Sequence, residues 1–310
     1  MNTLKGMRFA RPTLCHLLGL LALFGGACGL AAAAQLRALI QQDTLQEISG
    51  MARAHGGNRT SFWLHNDSGS SAQLFRITTN GKSAGSARIT GATPRDWEDM
   101  ASFVLDGTAG LLIADTGDNG GLRSEVELLA VREPAVLKGT PSLPIAWRRT
   151  IRWPEGPRDV EALAVDVQQR QILLISKKRV PAELWALPLP DWNAARVARS
   201  EPQRIATLNG IEQPDAEAMV AFSTNGRFRA QVTAADIDPS GHWLAVLTYQ
   251  RIYLYERRND ESWADAVQSM PRRLDFGWLP QAEALCFDAH ERAIWVTSER
   301  LPAPLLRLPF

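Results

Sequence analysis

Carboxylates recur at matching places along this chain, and that recurrence is its strongest chemical signal. Glu47, Glu98 or Asp99, Glu161, Asp236 and Glu283 each stand at or near the start of a short apolar run. Asn66, Asp67, Asp115, Asp118, Asn119, Lys177, Thr248 and Glu299 stand at or just beyond the end of the run that follows. Asp96-Trp97-Glu98-Asp99 packs three carboxylates into four residues ahead of an apolar stretch. If such runs are strands repeated about an axis, their polar ends converge on one mouth of a channel. Carboxylates gathered there raise one another's pKa or call in a cation. Oxygen donors without clustered His or Cys suit a hard ion, calcium or magnesium. The expected ligand-facing side chains are Asn66, Asp67, Asp96, Glu98, Asp115, Asp118, Asp236 and Glu299, around a divalent cation or a small polar ligand.

The elements that must position these groups are legible as a repeat. Val160 to Asp166 is followed by Gln171 to Lys177, Val232 to Asp238 by His242 to Thr248, and Ala282 to Asp288 by Arg292 to Ser298. In each pair an Asp closes the first run and a hydroxyl residue ends the second. A third run follows: Glu183 to Leu187, Arg251 to Tyr255, Pro304 to Leu308. Short β-favouring runs with turns between them, recurring at such intervals, mark propeller blades. Earlier in the chain Ile48 to Ala52, Ser61 to His65 and Leu74 to Ile77 form one unit, and Asp96 to Ala101, Gly110 to Asp115 and Glu127 to Val131 another. Leu36 to Ile40 is expected to close the ring against the carboxyl-terminal blade. The fold class is therefore all-β, a single β-propeller over residues 35–310. About 275 residues at roughly 40 to 50 per blade allow five or six blades. Six is preferred, with Arg204 to Val232 as a degenerate blade; the alternative for that segment is an insertion.

Lys5, Arg8 and Arg11 precede an apolar stretch from Leu14 to Leu30, and Ala32-Ala33-Ala34 offers a cleavage point, so residues 1–34 read as a secretory signal peptide. The expected location is periplasmic or extracellular, with no membrane span. The alternative is a lipoprotein anchored through Cys28. The 34 basic and 33 acidic residues are balanced, and removing the three leader cations leaves 31 against 33. No bulk field points to nucleic acid. Partners must come from sites: a cation, a small polar ligand, or a protein on a propeller face, the protein itself being a monomer. Cys286 would be the one cysteine left in the mature chain, read as a small buried hydrophobe.

Ile48-Ser49-Gly50-Met51, Asp159-Val160-Glu161-Ala162-Leu163 and Ser298-Glu299 resemble the exported bacterial propellers grouped as SdiA-regulated or phytase-like (esterase-like) domains. His65 to Gly69, Asp96 to Asp99 and Asp115 to Asn119 resemble a set of exported propellers mostly without assigned function. Calcium-binding propellers, including phytase-like phosphoesterases and the gluconolactonase group, hold their ion with channel carboxylates and an Asn. That resemblance implies Glu161, Glu283, Asp99 and Asn119 as metal ligands, with Ca2+ or Mg2+ as the cofactor.

Plainer roles stand beside these. Asp118-Asn119-Gly120-Gly121 reads as a hairpin turn, and the Glu-Ala openings could cap strands. Lys177 is either a channel cation neutralising Glu161 or a solvated hairpin end, and His65 in its polar turn reads as structural. Ser68, Ser176 and Ser298 lack the Gly-x-Ser-x-Gly elbow, which argues against a serine hydrolase. Two functions follow: an exported binding protein, or a metal-dependent hydrolase of a phosphate ester, carboxylic ester or lactone. In the second, Glu161 or Asp99 would be the general base and Lys177 would stabilise developing negative charge.

Overall fold

The computed structural model describes residues 33–56, 60–221 and 226–310. The signal-peptide reading and the Cys28 anchor therefore fall, but for Ala33 and Ala34, outside the described residues. Strand β1 (Gln35–Ile40) comes first. Blade one is β2 (Ile48–Arg53), β3 (Ser61–Asn66), β4 (Gln73–Thr78) and β5 (Ser83–Thr90). Blade two is β6 (Trp97–Leu105), β7 (Thr108–Asp115), β8 (Val126–Arg132) and β9 (Ser142–Ile151). Blade three is β10 (Val160–Asp166), β11 (Gln171–Ser176), β12 (Glu183–Pro188) and, after β13 (Val197–Ser200) has paired with β9, β14 (Gln203–Thr207). An insertion carrying helix α1 (Ala216–Ala221) precedes blade four, which is β15 (Val232–Ile237), β16 (Trp243–Thr248), β17 (Ile252–Glu256) and, beyond helix α2 (Trp263–Ala266), β18 (Arg272–Leu274). Blade five is β19 (Ala282–Phe287), β20 (Ala293–Ser298), β21 (Ala303–Pro309) and β1.

The ring closes at five blades, not the preferred six. The inner strands neighbour one another in the order β2, β6, β10, β15, β19, and β19 returns to β2. The expected degenerate blade is an insertion. Asp215 caps α1, its Oδ1 accepting the Ala218 amide at 2.7 Å, so an Asp-Ala-Glu-Ala opening that copies a strand start becomes a helix start instead.

The inner and middle strands bury both faces, because each blade is sandwiched between two others. Five apolar clusters result, one per blade interface. On β3, Phe62 and Leu64 face blade five while Trp63 faces blade two, the period-2 alternation of a strand carrying hydrophobes on both sides. Cys286 is buried at the interface of blades five and one, as expected for a small hydrophobe.

β1 pairs antiparallel with β21, from Gln35↔Arg307 to Ile40↔Ala303, as anticipated for a strand that clasps the two chain ends. Ile40 is fully buried. A chain beginning at Asp43 is expected to unfold roughly 5 °C or more below the complete one, since it loses that core side chain and leaves β21 as a bare edge. Thermal unfolding, with light scattering to detect edge pairing, checks this. Among the described residues no helix is long and apolar enough to cross a membrane.

Candidate functional site

All five inner strands begin the same way. Each pairs its first residue with the last residue of the middle strand, then slips by one: Ile48↔Asn66, Trp97↔Asp115, Val160↔Ser176, Val232↔Thr248 and Ala282↔Ser298 each precede a bulge. A bulge re-aims the extra residue. The bulged residues are Ser49, Glu98, Glu161, Thr233 and Glu283, and those following the middle strands are Asp67, Thr116, Lys177, Tyr249 and Glu299. These ten positions are related by the blade repeat and define the acidic mouth of the channel. Hydroxyls from this set lace blade to blade: Thr116 Oγ1 donates to the Val160 carbonyl and Thr233 Oγ1 to the Ala282 carbonyl, each at 2.7 Å.

Two carboxylate triads overlap here, Asp67–Asp96–Glu98 and Glu98–Asp159–Glu161, with oxygens within 4.8 Å of one another in each. Glu98 belongs to both. It is 5% exposed, and among the described residues no hydrogen-bond donor reaches its carboxylate. Burial pushes Glu98 well above the ordinary carboxylate range, and Glu161, Asp67 and Asp96 add like charge. Burial also raises Asp96, to about 6, with Asp67 as the next cause. Glu161 is raised well above its usual value by burial, against the pull of Lys177, whose Nζ donates to Glu161 Oε1. Burial favours a neutral Lys177, but Glu161, Tyr249 and Glu283 outweigh it and hold the ammonium. Glu283 accepts the Tyr249 hydroxyl at 2.9 Å and is pushed up to about 7 by burial and then by Glu299. Lys177 is thus the channel cation rather than a solvated hairpin end.

Other expected site residues have different employment. Asp99 is fully buried and staples three inner strands: its Oδ1 accepts the Met100 amide, and its Oδ2 accepts the amides of Leu163 at 2.8 Å and Ala235 at 3.1 Å. Both oxygens are occupied, so the structure places it as a staple, apart from the two triads. Asp236 is not equivalent to Glu161; Thr233 holds that position. Asp236 lies further along β15, accepts the Phe287 and Ile237 amides, and faces Arg53 at 3.8 Å. Asp115 accepts the Arg95 and Asp96 amides and Arg123 Nη2, which fixes the loop that presents Asp96. Asp118 accepts the Leu122 and Arg123 amides, as a turn residue should. Asn119 receives Lys178 Nζ at 2.9 Å, and Asn66 holds the loop before β2 through Thr44 and Glu47. His65 is packed beneath the ring against Gly50 and Trp97, and burial lowers it to about 4.

Asp159 was not expected at the site. Its Oδ1 accepts the Asp118 amide at 2.8 Å and its Oδ2 faces Lys178 at 2.7 Å. The signal lay in Asp96-x-Glu98 and Asp159-x-Glu161, the same spacing in successive blades. Gly117 was missed as well. A Cβ there would fall on Glu98 Oε1 and Asp96 Oδ2, so the glycine leaves the space the two carboxylates fill. Gly117→Ala is expected to cost about 1–3 kcal/mol through overpacking and to displace both carboxylates, read by thermal unfolding with and without calcium.

The fold and this mouth define a five-bladed β-propeller whose channel opens through a ring of buried acids able to hold a cation. No protein-family model and no curated protein matches the chain. Similar solved structures include a nidogen/laminin complex, at 10% identity over 82% of this chain and 73% of that one with a TM-score of 0.44. Another is a gluconolactonase from Xanthomonas campestris, at 11% identity over 90% and 96% of the two chains with a TM-score of 0.43.

Proposed function

We propose that this is an exported propeller that binds a divalent cation, calcium rather than magnesium, at the acidic mouth. Glu98 carries the reading: a buried carboxylate shared by two triads, to which no hydrogen-bond donor among the described residues reaches. A buried charge in that state is costly unless a partner neutralises it. The donor set is all oxygen, drawn from the loops that carry Asp67, Asp96 and Asp159 and from the bulged starts of β6 and β10, which suits calcium; magnesium demands stricter geometry and keeps its waters. Gly117 supplies the room. One or other of the triads, Asp67–Asp96–Glu98 or Glu98–Asp159–Glu161, would hold the ion with Glu98 common to both, a set that retains Glu161 from the sequence expectation and leaves out Glu283, Asp99 and Asn119, which stand outside both triads. Export rests on the Lys5, Arg8, Arg11 and Leu14–Leu30 pattern.

The test is thermal unfolding with calcium, with magnesium and with chelator. A ligand at ~100 times its Kd that binds only the folded state adds ~2.7 kcal/mol. Calcium is expected to raise the midpoint, and Glu98→Gln to remove the effect. An unchanged midpoint in calcium and chelator alike sinks the reading.

One observation favours the hydrolase as a second reading. A cavity of about 390 Å³ opens beside the mouth, with Lys177 and Tyr249 in its wall. A bound cation would supply Lewis acidity to an ester or lactone there. Lys177 would face developing negative charge, and Glu283, pushed up to about 7, could exchange a proton near neutrality. Turnover of phosphate-ester, carboxylic-ester and lactone substrates that is lost in Lys177→Met decides between binding and catalysis.

A further inference from the structure

The outer edge of blade two gathers arginines that carboxylates do not answer. β5 pairs with the beginning of β9, from Arg88↔Ser142 to Thr90↔Pro144, and β13 with its end, from Val197↔Arg148 to Ser200↔Ile151. Between the two, Ile145 to Trp147 have no outer strand among the described residues. A cavity of about 260 Å³ opens at this gap, lined by Arg132, Pro144, Ile145, Ala146 and Arg196. No acid stands in its wall. Along β9 and β13, Arg148 has Glu127 at 3.1 Å and Arg199 has Glu125 at 3.5 Å. Arg132, Arg149, Arg152 and Arg196 have no ion pair among the described residues. Arg149 is only 8% exposed; its Nη1 donates at 2.9 Å to the carbonyls of Arg148 and Ala195, and its guanidinium lies over Trp147. Burial pulls it below its ordinary value, and no carboxylate offsets that pull. A guanidinium does not shed its proton in a protein, so a covered one without a counter-charge is costly. Arg132 rests over Trp192, 5.1 Å from the ring centre, a contact that restrains it. That indole is itself fixed, stacked on Phe103 with its Nε1 donating to the Leu105 carbonyl at 3.1 Å. The Arg148 amide donates to the Arg196 carbonyl at 2.6 Å, which pins the backbone that carries Arg196.

We infer that this cleft binds an oxyanion of the phosphate class, with Arg132 and Arg196 as its ligands. Arg149, which reaches the carbonyl next to Arg196, adds charge. A guanidinium fork matches a phosphoryl group through two parallel N–H donors. Several cations with no acid among them favour a doubly charged group over a single carboxylate. The volume falls below that of ordinary ligand pockets, which suits a head group rather than a whole organic molecule. Inorganic phosphate and the phosphate monoester of a lipid present the same group, and the test separates them. The inference does not rest on the cation reading. β7 runs from Gly110, paired with Arg132, to Asp115 at the mouth, so cleft and mouth lie toward opposite ends of blade two.

Inorganic phosphate and pyrophosphate are titrated by calorimetry in calcium-free buffer at constant ionic strength. Co-sedimentation is followed with vesicles of phosphatidylcholine alone and of phosphatidylcholine with phosphatidic acid. Saturable binding is expected: the free anions alone mark a soluble ligand, phosphatidic acid alone a lipid head group, and both together the shared chemistry. The double variant Arg132→Gln, Arg196→Gln should weaken that binding about tenfold or more at an unchanged thermal midpoint, because both side chains are exposed. The control Arg37→Gln, Arg272→Gln removes two exposed arginines from other blades and should leave it intact. The idea is overturned by no saturable binding of either anion up to about 10 mM together with no retention on phosphatidic acid. Full binding in the cleft variant overturns it too, as does an equal loss in the control, which reduces the effect to bulk charge. Glu98→Gln should abolish the calcium shift and leave this binding unchanged, so the failure of either claim is told apart from that of the other.

Discussion

Asp99→Ala is expected to be the most destabilising single substitution at the channel, costing about 3–5 kcal/mol. The carboxylate accepts the amides of Met100 on its own strand, Leu163 on β10 and Ala235 on β15. Alanine leaves these three donors buried and unpaired, at about 1–3 kcal/mol each before relaxation or water entry. It also severs a polar tie among blades two, three and four. Asp99→Asn should recover only part of the loss, because its single acceptor oxygen cannot serve both sides and its NH2 would confront an N–H. Denaturant unfolding gives the ordering wild type, then Asn, then Ala. If Asp99→Ala instead proved mild in stability and abolished the calcium shift, Asp99 would be a metal ligand after all.

The sequence spoke clearly about the blades and less clearly about the ring, for physical reasons visible in particular residues. Asp166, Asp238 and Asp288, which made the repeat conspicuous, are turn acceptors at the far ends of their strands: Asp288 Oδ1 takes the His290 amide and Asp238 Oδ1 the Trp243 amide. They report blade architecture, not chemistry. The mouth depends on the bulge, which hydrophobic patterning hides because the residue it re-aims can be Ser49 or Thr233 as readily as Glu98, Glu161 or Glu283. That is why Asp236 was aligned with the wrong neighbours. The count of blades slipped for a related reason. Asp215 to Val220 has the composition of a strand opening, but its Asp caps a helix in a segment with no inner strand to pair with.

In chelator, stability is expected to fall as pH rises from about 5 to 8, the reverse of a protein held by ordinary ion-paired carboxylates. Burial pushes Asp96 and Asp236 up to about 6 and Glu283 to about 7, and it raises Asp67, Glu98, Glu161 and Glu299 as well. In the unfolded chain these groups return to ordinary values near 4. Between the two values the folded state holds protons that the unfolded state has released, so raising pH draws the equilibrium toward unfolding. The stabilisation is complete below the unfolded values and is lost as pH passes through the folded ones. Lys177 does not oppose this, because its raised pKa moves its own loss far above the window. A divalent ion at the mouth should replace the protons of the triads, so in calcium most of the decline disappears and calcium affinity itself climbs with pH. Asp236 lies with Arg53 away from the triads, so its share should persist in calcium and vanish in Asp236→Asn. Midpoints recorded against pH in the two conditions, with proton release on calcium binding measured by calorimetry, test the scheme. A flat profile in chelator would show the ring ionised at ordinary values, and the need for a cation to hold it together would go with it.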